Sequence, residues 1–516
     1  MKKLLTFGLL FVLVFSLVAC SSNSSTSGDE GSVEKKTEDD KELVIATGAD
    51  MVTFDIHDHN TTSTEAIHVN MFNYLVKRGE DGFDPDLAES WENVDDNTWK
   101  FKLREGVKFH NGEELTADDV KFTLERVAND NKLLEHGNYS QIKEVKVIND
   151  LEFEIITHQP EPALLNRLSR LGSGILPSKY IEEEGWDKFL ENPVGTGPYK
   201  FVEWKKDDRV VIEANSDYFG EAPKWNKVTF RAIPEDSTRV SELLTGGVDI
   251  ATNLPPSDWE RVKDNEATEV AQGPTQRVMM LVLRQTEGHA TSDPKVREAI
   301  DLAIDKQAIL DSLMEGSGTV TRTRVTPGNT GANEDLYGKT LYDPEKAKQL
   351  LKEAGYGDGL ELKLSAPNGR YLKDKESAEL IQAMLGEVGI DLKLEFLEWS
   401  SFADKYASKS FDDMFLIGYG NSMFDAALAL DRLSSKQAEG ETDYNNPEVD
   451  KLLEEAMSNM NAEERAKQYQ KAQEIIAEER PQIYLYQLDA VYGVNKGLNF
   501  EPRLDEMLYV DDITVK

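Results

Sequence analysis

Two hydrophobic periods alternate along the chain and predict its elements. Trp99-Lys100-Phe101-Lys102-Leu103 places apolar and polar residues in turn, the period of a half-buried strand. Asn111-Gly112, between Phe109 and Leu115, predicts a hairpin turn with both central residues at positive φ. Thr116 with Asp119 three residues on predicts a capped helix start, and Val120, Leu124 and Val127 then fall on one face. Asp293-Pro294 and Asp343-Pro344 each set an N-cap acid before a proline at the first helical position. The first carries Val296, Ile300 and Ile304 at four-residue spacing. The second carries Ala347, Leu350, Leu351 and Ala354 and stops at Gly355, a left-handed C-cap. Further strands are expected at 43–47, 360–364, 391–396, 413–417 and 482–486. The class is α/β.

The N-terminus follows another pattern. Lys2 and Lys3 precede an apolar run, 4–18, that ends in small residues at Cys20, as an export signal does. The run is about 15 residues, short of the roughly 20 that cross a bilayer as a helix. Leu17-Val18-Ala19-Cys20 resembles a bacterial lipobox, which predicts a signal peptide over 1–20 and a diacylglyceryl group on the Cys20 thiol; two acyl chains suffice for stable anchoring. Cys20 is the only cysteine, so disulfides, thiolate nucleophiles and Cys-based metal sites are excluded from the mature domain. Residues 21–42 are almost devoid of apolar side chains and read as a flexible tether. The remaining residues, about 470, exceed what one core serves, so at least two lobes are expected.

A formal net charge of −38 argues against nucleic acid as a partner. No nucleophile elbow, His-Glu-x-x-His helix, Walker-type phosphate loop or dinucleotide fingerprint occurs, so no enzyme activity and no cofactor are expected. Asp95-Asp96 and Asp118-Asp119 read as solvated faces or helix starts. Among seven histidines, His57-Asp58-His59 with His68 is the only cluster; on an irregular loop it reads as solvated side chains, and no metal site is assigned. The alternative from another class is a surface metallo-hydrolase built on that cluster.

Pro85-Asp86-Leu87-Ala88-Glu89-Ser90-Trp91, the stretch 99–127 (WKFKLREGVKFHNGEELTADDVKFTLERV), Asn192-Pro193-Val194-Gly195-Thr196-Gly197-Pro198-Tyr199, 293–310 (DPKVREAIDLAIDKQAIL) and 342–356 (YDPEKAKQLLKEAGY) together resemble the peptide and nickel solute-binding proteins of ABC importers, extracellular family five. The resemblance implies a two-lobe periplasmic-binding-protein-like fold with a hinge and an extra subdomain in the N-terminal lobe. Lobe I would span 43–273, with 70–179 as the extra subdomain; lobe II would span 274–487, and 488–516 would return to lobe I. The chain would cross the hinge near 273–276 and 486–488. It further implies a monomer on the outer face of the cell membrane, held by its lipid anchor, that delivers a di- or oligopeptide or glutathione-like solute to an ABC permease and its ATPase subunits. A nickel-chelate receptor is the alternative within the family.

The same resemblance implies the ligand-facing residues. Thr53, Phe54 and Asp55 match the loop after the first strand; an Asx-type turn is the competing reading. His136, Asn138 and Tyr139 fall where an aromatic lid is offered, or form a solvated loop. Arg170 and Arg370 are placed to hold a carboxylate bidentately, or are surface arginines paired with acids. Arg370 stands with Tyr371 before a helix, where the dipole disfavours a cation. Tyr419 matches an aromatic position after a buried strand. Peptide-binding members place an aspartate close by for the ligand amine, whereas here Asn421 and Ser422 stand first and the nearest acid is Asp425. Either Asp425 reaches back or the amine is held otherwise, and a glutathione-like ligand becomes comparably expected.

Overall fold

The computed structural model describes residues 41–79 and 82–516. The expected signal peptide, Cys20 and residues 21–40 of the tether lie outside the described residues. The first strand, Glu42–Thr47, starts one residue before the expected Leu43.

The main sheet holds eleven strands. Two of them organise it: Thr268–Leu283 and Gln482–Asn495 pair antiparallel, with Thr268 opposite Asn495 and Val282 opposite Gln482. The expected strand at 482–486 is only the start of the second, because its partner continues beside it past Leu488, Val491 and Val494. The register breaks between Pro274 and Val278. Pro274 has no N–H to give the ladder, and side chains take over: Thr275 Oγ1 donates to the Leu488 carbonyl (2.8 Å) and Gln487 Nε2 to the Thr275 carbonyl (2.5 Å).

On either side of this break the hydrophobic cores are separate. One is built only from residues within 278–488. The cores beyond the break draw on 43–262 together with Val491, Tyr492, Val494, Leu498, Leu508, Val510 and Ile513, so the C-terminal segment shares the hydrophobic cores of 43–262. Each fully buried Leu, Ile or Phe stabilises its own lobe by about 1.5–3 kcal/mol. The fold is the two-lobed arrangement of periplasmic binding proteins, with the two long strands passing between the lobes.

Within the first lobe, Ala88–Asp95, Thr98–Leu103, Glu152–Thr157 and Ile142–Asn149 form a four-stranded antiparallel sheet. Its alternating residues meet in register: Phe101 lies opposite Phe153 and the rings stack at 5.4 Å. The helix Ala117–Asn129 buries Val120, Leu124 and Val127 against this sheet. Asp119 does more than cap that helix. Its Oδ2 accepts from the Thr116 N–H (2.9 Å), and its Oδ1 accepts from the Ser178 N–H (2.9 Å) at the start of Ser178–Glu184.

In the second lobe Pro344–Glu353 starts at Asp343, whose side chain accepts from Lys346 N–H (2.9 Å), and Gly355 follows at φ +92. Asp293 caps Pro294–Ala303 in the same way, accepting from Lys295 N–H at 2.8 Å. Leu360–Pro367 pairs parallel with Ile390–Leu397 and with Met414–Tyr419. The Asn111-Gly112 turn departs from expectation, since only Gly112 takes positive φ (+90). Asn111 stays in ordinary space because its Oδ1 accepts from the Glu113 N–H (3.1 Å), an Asx turn that replaces the mirror-image hairpin.

Candidate ligand-binding cavity

A cavity of about 1340 Å³ lies between the lobes, walled by loops at strand and helix ends and crossed at its floor by Thr275, Gln276 and Leu488 of the two long strands. Carboxylates and cations on its wall are nearly equal in number, in contrast to the acidic chain as a whole.

From the first lobe comes Arg170, whose side chain is only 3% exposed. Its Nη1 donates to Glu135 Oε2 at 2.5 Å and its Nε to Ser422 Oγ, in the second lobe, at 2.9 Å. Burial works against its charge, but the Glu135 carboxylate outweighs it and holds the guanidinium firmly protonated. Arg78 forms no ion pair with a described residue; its Nη2 donates to the Met423 carbonyl (2.6 Å) and its guanidinium sits 4.1 Å from the Phe424 ring centre. Burial pulls its pKa down to about 10.

The second-lobe wall is shaped by Asp374. Its carboxylate accepts from the N–H groups of Gly369 (2.9 Å), Arg370 (2.8 Å) and Tyr371 (3.0 Å), folding the turn back onto the start of Asp374–Glu387. The turn leaves the Arg370 guanidinium 4.6 Å from the Trp399 ring centre, exposed and with no ion-pair partner among the described residues. Glu506 stands nearby in the C-terminal segment. Loss of water raises its pKa, opposed by Arg277 at 3.8 Å and by Arg370. Glu506, Phe424, Lys373 and Asn253 all line the cavity and all have positive φ, a concentration of strained backbone that marks a functional wall. Asn421 Nδ2 donates to Asn329 Oδ1 (2.6 Å), and Asn329 Nδ2 to Gln276 Oε1 (2.8 Å), a relay that joins the wall to the floor.

Beside the first-lobe wall, His59, Glu65 and His68 turn their ligand atoms toward one another, all within 4.8 Å. Glu65 also lines the cavity. Burial lowers His59 to about 4, takes His68 well below its usual value and raises Glu65 to about 7.

The family described as bacterial extracellular solute-binding proteins, family 5 Middle, matches residues 82–441. The chain belongs to that family. It is a solute-binding protein of an ABC importer, and its family works outside the cytoplasm. The chain is 30% identical over 476 residues to the glutathione-binding protein GsiB of Salmonella paratyphi A, covering 89% of this chain and 91% of that one. It is 27% identical over 509 residues to the oligopeptide-binding protein AppA of Bacillus subtilis, covering 94% and 93%. The structure of the DppA binding protein of Helicobacter pylori, in complex with the peptide STSA, matches with a TM-score of 0.77 and 27% identity, over 92% of this chain and 98% of that one.

In this solute-binding protein the cavity wall includes Asn138, Arg170, Arg370, Tyr371, Tyr419 and Asn421 of the residues expected at the ligand. Six others stand away from it. Thr53, Phe54 and Asp55 turn inward: Phe54 is 1% exposed among His68, Phe201 and Trp204, and Asp55 grips Arg126 with both oxygens (2.7 and 2.6 Å). Asp55 Oδ1 also accepts from the His57 N–H (3.1 Å), the Asx-type turn that competed with ligand contact, and Thr53 Oγ1 accepts from the Asp55 N–H (3.0 Å). His136 turns Nδ1 to the Val127 carbonyl (3.0 Å). Tyr139 is fully buried, its hydroxyl 2.9 and 2.8 Å from the carbonyls of Arg167 and Leu171. Asp425 does not reach back. It is fully buried, paired with Arg465 through both oxygens (2.6 and 2.7 Å), and accepts from the Ala427 N–H.

The histidine cluster is also unlike its expectation: His57, His59 and His68 are buried, not solvated. The loop carries them inward together with Phe54 and Ile56. Glu65, Glu135, Arg78, Arg277 and Glu506 were not anticipated from the sequence. In a chain with 96 acidic residues, no local pattern distinguishes Glu506 from the rest.

Proposed function

We propose that this protein captures a di- or oligopeptide or a glutathione-like solute, with the ligand carboxylate on Arg370. The supporting observation is the Arg370 guanidinium, which has no ion-pair partner among the described residues and is held over Trp399 by the Asp374 turn at a cavity of about 1340 Å³. A buried carboxylate needs replacement donors, and a planar guanidinium supplies two in parallel. Glu506, whose cationic neighbour Arg277 is 3.8 Å away, is the candidate for a ligand amine in place of Asp425. The names of GsiB and AppA fit both forms of solute. The nickel-chelate alternative finds less support, because none of the histidines lies on the wall.

Residues 43–273 and 274–487 would act as the lobes, with 488–516 returning to the first and closure about the two long strands. Cys20 would carry the lipid anchor that holds a monomer beside its permease and ATPase. Calorimetric titration with dipeptides, tetrapeptides, reduced glutathione and nickel–histidine tests the solute class. A ligand present at about 100 times its dissociation constant adds roughly 2.7 kcal/mol of stability. The expected result is heat and a raised melting temperature for a peptide-like compound; a response to nickel–histidine alone overturns the reading.

A further inference from the structure

We propose that His59, Glu65 and His68 form a site for a resident divalent transition metal of the zinc class, set in the first lobe behind the cavity wall.

The geometry carries the assignment. His59 Nε2 lies 3.5 Å and His68 Nδ1 3.7 Å from Glu65 Oε2, and the three atoms fit within 4.8 Å. A tetrahedral ion with bonds of about 2.05 Å sets its ligand atoms roughly 3.3 Å apart, so the two edges to Glu65 need a contraction of a few tenths of an ångström, and the two imidazole nitrogens, within 4.8 Å of each other, turn inward to close the third edge around an ion. The residues are 1%, 3% and 1% exposed, and these same three atoms have no hydrogen-bond partner among the described residues. Buried polar atoms are almost always satisfied, and three orphans converging on one point call for a shared partner. Two imidazoles and a carboxylate suit zinc, cobalt or nickel better than calcium or magnesium.

The surroundings orient the ligands. His68 Nε2 is 2.9 Å from the Thr53 carbonyl, which fixes its proton there and turns the Nδ1 lone pair to the cluster, the outer-shell arrangement of metal-bound histidine. The Tyr74 hydroxyl donates to Glu65 Oε1, leaving Oε2 for the ion. His59 Nδ1 makes only a long contact with the Thr61 N–H (3.4 Å); coordination through Nε2 moves its proton to Nδ1 and replaces that contact. Arg170, a cation in this neighbourhood, is neutralised by Glu135. Three protein ligands leave a coordination position open, and Glu65 is the member that also lines the cavity.

The test uses purified, untagged full-length protein stripped with a chelator and then titrated with Zn²⁺ against a chromophoric competitor, and separately with Co²⁺ while its visible absorption is followed. One equivalent of each ion should bind, with the intense absorption of low-coordinate Co²⁺, and X-ray absorption of the zinc form should show two imidazoles. Glu65→Gln and His59→Gln should each weaken zinc by at least about tenfold, while His289→Gln, a half-buried histidine elsewhere, should not. If a variant fails to fold, the Co²⁺ spectrum and X-ray absorption of the unaltered protein still decide. Absence of stoichiometric binding, a six-coordinate all-oxygen spectrum, or affinity that survives in folded Glu65→Gln and His59→Gln overturns the proposal.

Discussion

Arg170 in the first lobe donates a 2.9 Å hydrogen bond from Nε to Ser422 Oγ in the second, while its Nη1 holds the buried Glu135 at 2.5 Å. One side chain therefore ties a lobe together and touches the other. The sequence offers both Arg170 and Arg370 as carboxylate holders, with Arg370 marked by its place before a helix; in the fold Arg170 is held by Glu135, whereas Arg370 forms no ion pair with a described residue.

Arg170→Ala should destabilise the unliganded protein by about 3–5 kcal/mol, because it leaves the buried Glu135 carboxylate with the Asn138 amide (3.0 Å) but without its cation. Ser422→Ala removes only the bond between lobes and should cost about 0.5–1.5 kcal/mol. Thermal and urea unfolding check both values. Equal effects would mean that the Glu135 pair contributes nothing beyond the contact across the lobes.

Arg370→Ala should leave the unliganded melting temperature within a degree or so of the parent, since its guanidinium forms no ion pair with a described residue. Affinity for a peptide-like ligand should fall by more than about tenfold. An amidated ligand should bind the parent weakly and lose little more in the variant. If the two losses add, the carboxylate lies elsewhere; the cycle of ligand carboxylate against Arg370 measures the coupling.

Asp425→Asn should act on folding rather than on the ligand. It leaves Arg465, 3% exposed, without its carboxylate, at a cost of about 3–5 kcal/mol. Folded Asp425→Asn should bind ligand with unchanged affinity, measured by titration below its melting range. A large loss of affinity in folded protein would restore Asp425 to the site.

His110 provides a pH signature. Burial lowers its pKa from 6.5 to about 4, and both ring nitrogens are engaged, with Gly197 O (3.0 Å) and Gly195 N–H (3.2 Å). The unfolded chain binds a proton near pH 6.5 that the folded protein refuses until about pH 4. Stability from His110 is therefore complete above pH 6.5 and declines as the pH falls toward 4. Melting temperatures of the parent should drop through this window more steeply than those of His110→Gln. Parallel curves would exclude the effect.

Cys20→Ser should leave the protein without lipid and either uncut at its leader or released to the medium, as read by labelling with a radioactive fatty acid, by its length on a gel and by fractionation. Normal membrane retention of an unlabelled Cys20→Ser protein cut to the parent's length would refute the anchor.

Much of the architecture was legible in the linear pattern. Helix starts at Asp293 and Asp343 and the strand at Thr98–Leu103 rest on contacts within a few residues, so propensity and periodicity suffice. Boundaries set by distant partners were less legible. Gln482–Asn495 runs far beyond its apolar start because Thr268–Gly273 pairs with it.

The sequence by itself determined the α/β class, the capped helices, the family and the lack of any cysteine after Cys20, all properties of short segments and composition. Only the tertiary structure decided which polar residues are free. Arg170 and Arg370 are the same side chain, but Glu135 closes on one while the Asp374 turn, using backbone N–H groups alone, leaves the other uncommitted. Asp425 and Glu506 are likewise both acids, and Arg465 saturates the first while the second keeps only a 3.8 Å neighbour. Such pairings join residues tens to hundreds of positions apart, and burial fixes their strength by removing the water that would otherwise compete. Neither the partner nor the burial is written in the local sequence.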